Sequence, residues 1–160
     1  MEKNIKISLV ASSIRPLLWR DFYFSLLSNH HVDFEVIFVG NAVVDHQLIQ
    51  KQYPKLKYIE TSVKPSQCYE IGFRHSTGEL IHWTADDATY EAELLDRFYA
   101  YYMSKGDYKL ILEPTTVENG RDCTDHHHFF GGQHETPVMA PFGFMSRKLM
   151  LEIGGYDKRF

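Results

Sequence analysis

Short apolar runs rich in β-branched residues alternate with helix-patterned segments over most of this chain, and that alternation is its strongest constraint. Residues 5–13 (IKISLVASS), 34–40 (FEVIFVG), 56–61 (LKYIET), 80–85 (LIHWTA) and 108–115 (YKLILEPT) read as strands. Between them lie four helical patterns. The first follows Pro16 and runs through LLWRDFYFSLLSN. The second, 45–53, has Asp45 as its N-cap and stops at Pro54. The third opens at Pro65 and ends at Gly78, and the fourth, 91–106, places Leu94, Leu95, Phe98, Tyr101 and Tyr102 at helical spacing before Gly106. Such alternation, with right-handed crossovers, gives an α/β fold: a mostly parallel sheet with helices on both faces. Ligands of these sheets bind beyond the carboxyl ends of the strands, so the loops after Ser13, Val39, Thr61 and Ala85 are the ones to inspect.

The chain has 160 residues, 44% of them hydrophobic, which supports a single domain, 1–160, with its own core. A net charge of −4 with scattered Lys and Arg argues against nucleic acid as a partner. Two cysteines, Cys68 and Cys123, fit a reduced cytoplasmic setting. The N-terminal apolar run is broken by Lys6 and Ser8 and reads as a strand, not a signal peptide, and no run is long enough to form a transmembrane segment.

The fourth strand runs into Asp86-Asp87 on the ligand edge. In an extended segment adjacent side chains face opposite sides, so the pair would not share one target. Two readings are open: a solvated turn ahead of a helix, for which Asp is a common choice, or a site in which one carboxylate meets a hard cation such as Mn²⁺ or Mg²⁺ and the other a sugar hydroxyl.

The segment TGELIHWTADDATYEAELLDRF resembles the acidic-motif region of family 2 nucleotide-sugar glycosyltransferases, which have the GT-A (Rossmann-like) fold. APFGFMSRKLMLEIGGYDKRF is similar to the later family segment, a glycine-containing strand, a helix and then a GGYD-type turn; ISLVASSIRP resembles the first strand region. The resemblance implies a metal-dependent, inverting transfer of a sugar from a nucleotide-diphosphate donor to a hydroxyl acceptor. It makes Asp87 the metal ligand, in a DxD-like motif, and puts Asp86 near the donor ribose or behind the metal. Ser12, Ser13 and Arg15 would line the nucleotide pocket, and Phe142 and Gly143 would lie near sugar and acceptor.

The sequence departs from the family in three places. Gly40 and Asn41 stand where an Asp usually meets the base, leaving Asn41 as the candidate contact. Tyr69 replaces a usual Arg in the third helix, with Arg74 as a substitute one turn on. No acidic residue matching the family's catalytic base is found before Phe160, so the chain reads as a fragment or as a short relative without that base, and the catalytic residue is unassigned. A non-catalytic nucleotide-sugar-binding or scaffold module is the alternative. A nucleotidyltransferase fits less well, because SSIRPLLWR lacks the glycine-rich loop such enzymes carry.

Other clusters take plainer readings. His126, His127, His128 and His134 lack familiar zinc-site spacing and read as a polar loop within 117–137. Cys68 reads as a small hydrophobe on a helix face, and Phe98, Tyr99, Tyr101 and Tyr102 as core packing with hydroxyls at the rim. A last helix is expected over 146–153, stopped by Gly154-Gly155.

Overall fold

The computed structural model describes residues 5–122 and 142–156. Its strands are β1 (Ile7–Ser12), β2 (Phe34–Gly40), β3 (Leu56–Glu60), β4 (Leu80–Trp83), β5 (Ile111–Leu112), β6 (Val117–Glu118), β7 (Arg121–Asp122) and β8 (Gly143–Ser146). Its α-helices are α1 (Trp19–Ser25), α2 (His46–Gln52), α3 (Pro65–His75), α4 (Leu94–Lys105) and α5 (Arg147–Glu152). Single 3₁₀ turns flank α1 at Pro16–Leu18 and Leu26–Ser28.

Six strands form one sheet in the order β3-β2-β1-β4-β8-β5. The first four are parallel neighbours; β8 runs antiparallel to both β4 and β5. Alternation along β1 divides the core, since neighbouring side chains point to opposite faces. Ile7, Leu9 and Ala11 join Trp19, Phe22 and Leu26 of the α1 region and Leu95 of α4 on one face. Val10 joins Cys68 and Phe73 of α3 and Met150 of α5 on the other. The expected α/β sheet with helices on both faces is the architecture found.

Local signals explain most element ends. Asp45 caps α2, its Oδ1 accepting from the backbone N–H groups of Gln47 (3.0 Å) and Leu48 (3.1 Å), an arrangement worth about 1 kcal/mol. Gly106 closes α4 in the left-handed conformation. Asn29 Oδ1 accepts from Leu95 N at 2.8 Å and so ties the start of α4 to the end of the α1 region.

Two expectations change. Only Ile111 and Leu112 of 108–115 pair as a strand, at a sheet edge where Ile111 is half exposed. The segment expected to be loop after Thr115 begins instead with a hairpin, β6–β7, turned by Asn119 (φ 51°) and Gly120 (φ 78°). Asn-Gly with positive φ at both residues is the two-residue turn whose twist matches paired strands. The histidine cluster and Cys123 lie outside the described residues.

Candidate donor site at the strand ends

Asp86 and Asp87 do not continue the extended line of β4. They sit on a turn closed by Ala88 N donating to Ala85 O at 3.3 Å. The expectation that they face separate targets is corrected by this turn: both carboxylates meet Arg15. The Arg15 guanidinium gives Nε to Asp86 Oδ1 at 3.0 Å and Nη2 to the same oxygen, while Nη1 pairs with Asp87 Oδ2 at 2.9 Å. The Arg15 backbone N–H also reaches Asp86 Oδ2, at 3.3 Å.

The two carboxylates differ in setting. Asp86 is 1% exposed, and Ser13 Oγ donates to its Oδ2 at 2.7 Å. Trp19 Nε1 in turn donates to Ser13 Oγ at 2.6 Å, so the core face of α1 holds the hydroxyl that holds the carboxylate. Asp87 keeps 44% of its side chain open. The Asp86 carboxylate is the first cause that pushes the Arg15 guanidinium above its ordinary range, so the arginine stays charged.

Asp87 borders a cleft of about 470 Å³ lined by Thr84, Tyr90, Pro114, Asn119 and Phe142 among others. Its floor is a directional hydrogen-bond chain. The Gly143 carbonyl only accepts, so His82 Nδ1 carries the proton and donates at 2.8 Å. Burial pulls His82 down to about 4, which leaves Nε2 bare to accept from the Tyr90 hydroxyl at 3.0 Å. That hydroxyl oxygen then accepts from Thr84 Oγ1 at 2.6 Å. Burial likewise pushes the Tyr90 phenol up, keeping it a donor.

The remaining expected residues fall as follows. Ser12 ends β1, and Asn41, exposed, follows β2 at the same sheet edge. Gly40 packs on Ser13: a Cβ there would overlap the Ser13 carbonyl. Phe142 lines the cleft, whereas Gly143 is buried, its open side filled by the Trp83 ring. Tyr69 donates its hydroxyl to the Thr84 carbonyl at 2.7 Å and also meets the Ser12 backbone; burial pushes its phenol up to about 12. Arg74 is not brought to this edge. It lies in the last turn of α3, which leads toward the start of β4, and its Nε donates to Glu70 Oε1 at 2.7 Å. A helix between parallel strands runs back across the sheet, so its C-terminal turn faces away from the ligand edge. His82, Thr84 and Tyr90 were missed by the sequence reading; the one signal was a histidine inside the apolar run LIHW.

Among the described residues no three His, Cys, Asp or Glu side chains converge as a metal cage. Asp86 is buried with both oxygens engaged by Arg15 and Ser13, which leaves Asp87 as the open carboxylate of the pair. Among the described residues Asp87, half open on the cleft, could serve as a ligand of Mn²⁺ or Mg²⁺, ions that take much of their coordination from water and phosphate.

The sheet order, the covering helices and the cleft at the strand ends define a glycosyltransferase fold. The chain superposes on Staphylococcus aureus TarS with a TM-score of 0.74 at 17% identity, over 95% of this chain and 30% of TarS. Residues 1–349 of TarS in complex with UDP match at 0.72 and 15% identity, over 95% of this chain and 50% of that one. The mannosyltransferase PcManGT from Pyrobaculum calidifontis, in complex with GDP-Man and Mn²⁺, matches at 0.65 and 17%, over 96% of this chain and 47% of its own. The chain thus spans half or less of these proteins. Neither a protein-family model nor a curated protein matches the sequence. Among the described residues no helix is long and apolar enough to cross a membrane.

Proposed function

We propose that this chain is the donor-binding domain of a glycosyltransferase that takes a sugar from a nucleotide diphosphate and passes it to a hydroxyl acceptor. The observation that carries this reading is Asp87: a half-open carboxylate on the cleft, fixed at the carboxyl end of β4 by the Arg15–Asp86 pair. Support comes from the shared fold with proteins solved with UDP, UDP-GlcNAc and GDP-Man. A Mn²⁺ or Mg²⁺ held at Asp87 would neutralise charge on a departing diphosphate. Ser13 and Trp19 hold the acidic turn, Asn41 offers an amide to the base, and Phe142 an apolar wall to the sugar. Inversion at the anomeric carbon is the expectation carried by the family 2 resemblance.

A second reading, a nucleotide-sugar-binding module without transfer activity, is favoured by Tyr69. Where the resembling family carries a basic residue, this chain has a buried phenol committed to Thr84.

Thermal unfolding with UDP, GDP, CMP and dTDP, each with and without Mn²⁺, tests the donor site, because a ligand of the native state alone raises Tm. At a hundred times Kd the gain is about 2.7 kcal/mol. The expected result is a metal-dependent rise with at least one nucleotide that Asp87→Ala removes. A well-folded chain with no shift would overturn the reading. Release of nucleotide diphosphate from a donor sugar separates the enzyme from the binding module.

A further inference from the structure

We propose that Arg15 is an exchangeable counter-ion within the donor site: it holds Asp87 while no ligand is bound, yields it to a divalent cation, and turns the freed nitrogen to the donor phosphates without leaving Asp86. The proposal rests on the donor-site reading above and adds a positioning residue to it.

The asymmetry of the two ion pairs carries the inference. Asp86 is buried and receives Nε and Nη2, the Arg15 backbone N–H and the Ser13 hydroxyl. Breaking that set would strand a buried carboxylate, a costly event. Asp87 is half exposed and, among the described residues, receives Nη1 of Arg15 alone. An exposed pair of this kind contributes little. Of the two ion pairs the guanidinium makes, only the one to Asp87 can be given up cheaply.

Charge sets the direction of the exchange. A divalent cation at Asp87 attracts the carboxylate more strongly than a monovalent guanidinium and repels the Nη1 that shared it. Arg15 stays anchored by Nε and Nη2, so Nη1 is displaced only locally. A diphosphate brought in on the same cation then lies within the field of an anchored guanidinium, a planar donor suited to phosphate oxygens. Arg15 therefore opposes the metal when it comes alone and favours the metal with its nucleotide.

The test follows Mn²⁺ alone by the EPR signal of the free ion, in the full chain and in Arg15→Gln and Arg15→Lys. Lysine keeps a charge for Asp86 but cannot fork across both carboxylates. UDP and GDP binding at saturating Mn²⁺ is then measured by calorimetry. Both variants should bind Mn²⁺ alone about two- to fivefold tighter than the parent. Arg15→Gln should bind the nucleotide about tenfold more weakly. Circular dichroism monitors folding, and if Arg15→Gln unfolds, Arg15→Lys decides. Unchanged or weaker Mn²⁺ binding in folded variants whose parent binds nucleotide with Mn²⁺ overturns the exchange alone. A parent that binds neither Mn²⁺ nor nucleotide overturns the donor-site reading and the exchange with it.

Discussion

His82 of β4 and Phe144 of β8 lie face to face, ring centroids 3.9 Å apart and planes within 5° of parallel. They are opposite residues of the antiparallel ladder, and Phe98 of α4 stacks on the far side of Phe144 at 4.5 Å. The imidazole is thus treated as an apolar ring whose two nitrogens are both satisfied within the protein.

That placement makes stability depend on pH. His82 is held down to about 4 in the fold and returns to about 6.5 on unfolding. Between those values the unfolded chain binds a proton that the folded chain refuses, so stability is fully present above about 6.5 and falls as the pH drops toward 4. The loss should reach about 3 kcal/mol. Urea unfolding from pH 7 to 4 should show this slope in the parent and a shallower one in His82→Gln.

Ser13 is a two-sided joint, accepting from Trp19 and donating to Asp86. Ser13→Ala leaves a buried indole N–H without its acceptor and a buried carboxylate short of a donor. A cost of about 2–3 kcal/mol is expected, read as a lower urea midpoint, with Trp19 fluorescence as a local reporter.

Gly40→Ala should be more damaging than an exposed glycine change. The added Cβ would meet the Ser13 carbonyl, a backbone group pinned by the β1–β2 ladder, where Ser13 N donates to Val39 O at 2.8 Å. Strain of this kind costs about 3 kcal/mol or more. Tm should fall, and nucleotide binding should weaken with it, because Ser13 carries the acidic turn. Gly106→Ala, with open space around it but a left-handed backbone, should cost only about 1 kcal/mol.

Glu70 of α3 is 5% exposed and accepts from the backbone N–H of Tyr156 at 3.0 Å as well as from Arg74. Tyr156 also stacks on Tyr69, centroids 5.6 Å apart. Glu70→Ala should release the 154–156 turn and cost about 1–3 kcal/mol. Hydrogen exchange should rise first at Tyr156 while β1 and β2 stay protected.

The sheet was legible because its signal is local. FEVIFVG is apolar on both faces and pairs over its whole length, as a strand buried on two sides must. Asp45 and Pro65 marked helix starts for reasons that act within one turn. The antiparallel insertion of β8 between β4 and β5 was not legible, since strand order depends on partners far apart in sequence. The β6–β7 hairpin had a readable sign, Asn119-Gly120, hidden by the polar composition around it. At the site, Ser13, Arg15, Asp86 and Asp87 were named from sequence and are brought together. Their mutual pairing was not foreseen: a turn at Asp86-Asp87 was one of the open readings, but its meeting with Arg15 joins segments far apart in sequence. Arg74 was misplaced because counting along a helix ignores which end faces the ligand edge.

The position of β8 has a consequence for synthesis on the ribosome. Its register sets Trp83 against Gly143 and Leu80 against Ser146. Strands β1 to β4 are therefore made, and free to pair, well before their last neighbour exists. Throughout that interval one side of β4 is an open row of backbone donors and acceptors, the kind of edge that recruits strands from other chains. His82 waits there too, without Phe144 to cover it or the Gly143 carbonyl to accept its hydrogen bond. That edge of β4 is covered only once β8, through residue 146, has emerged and paired.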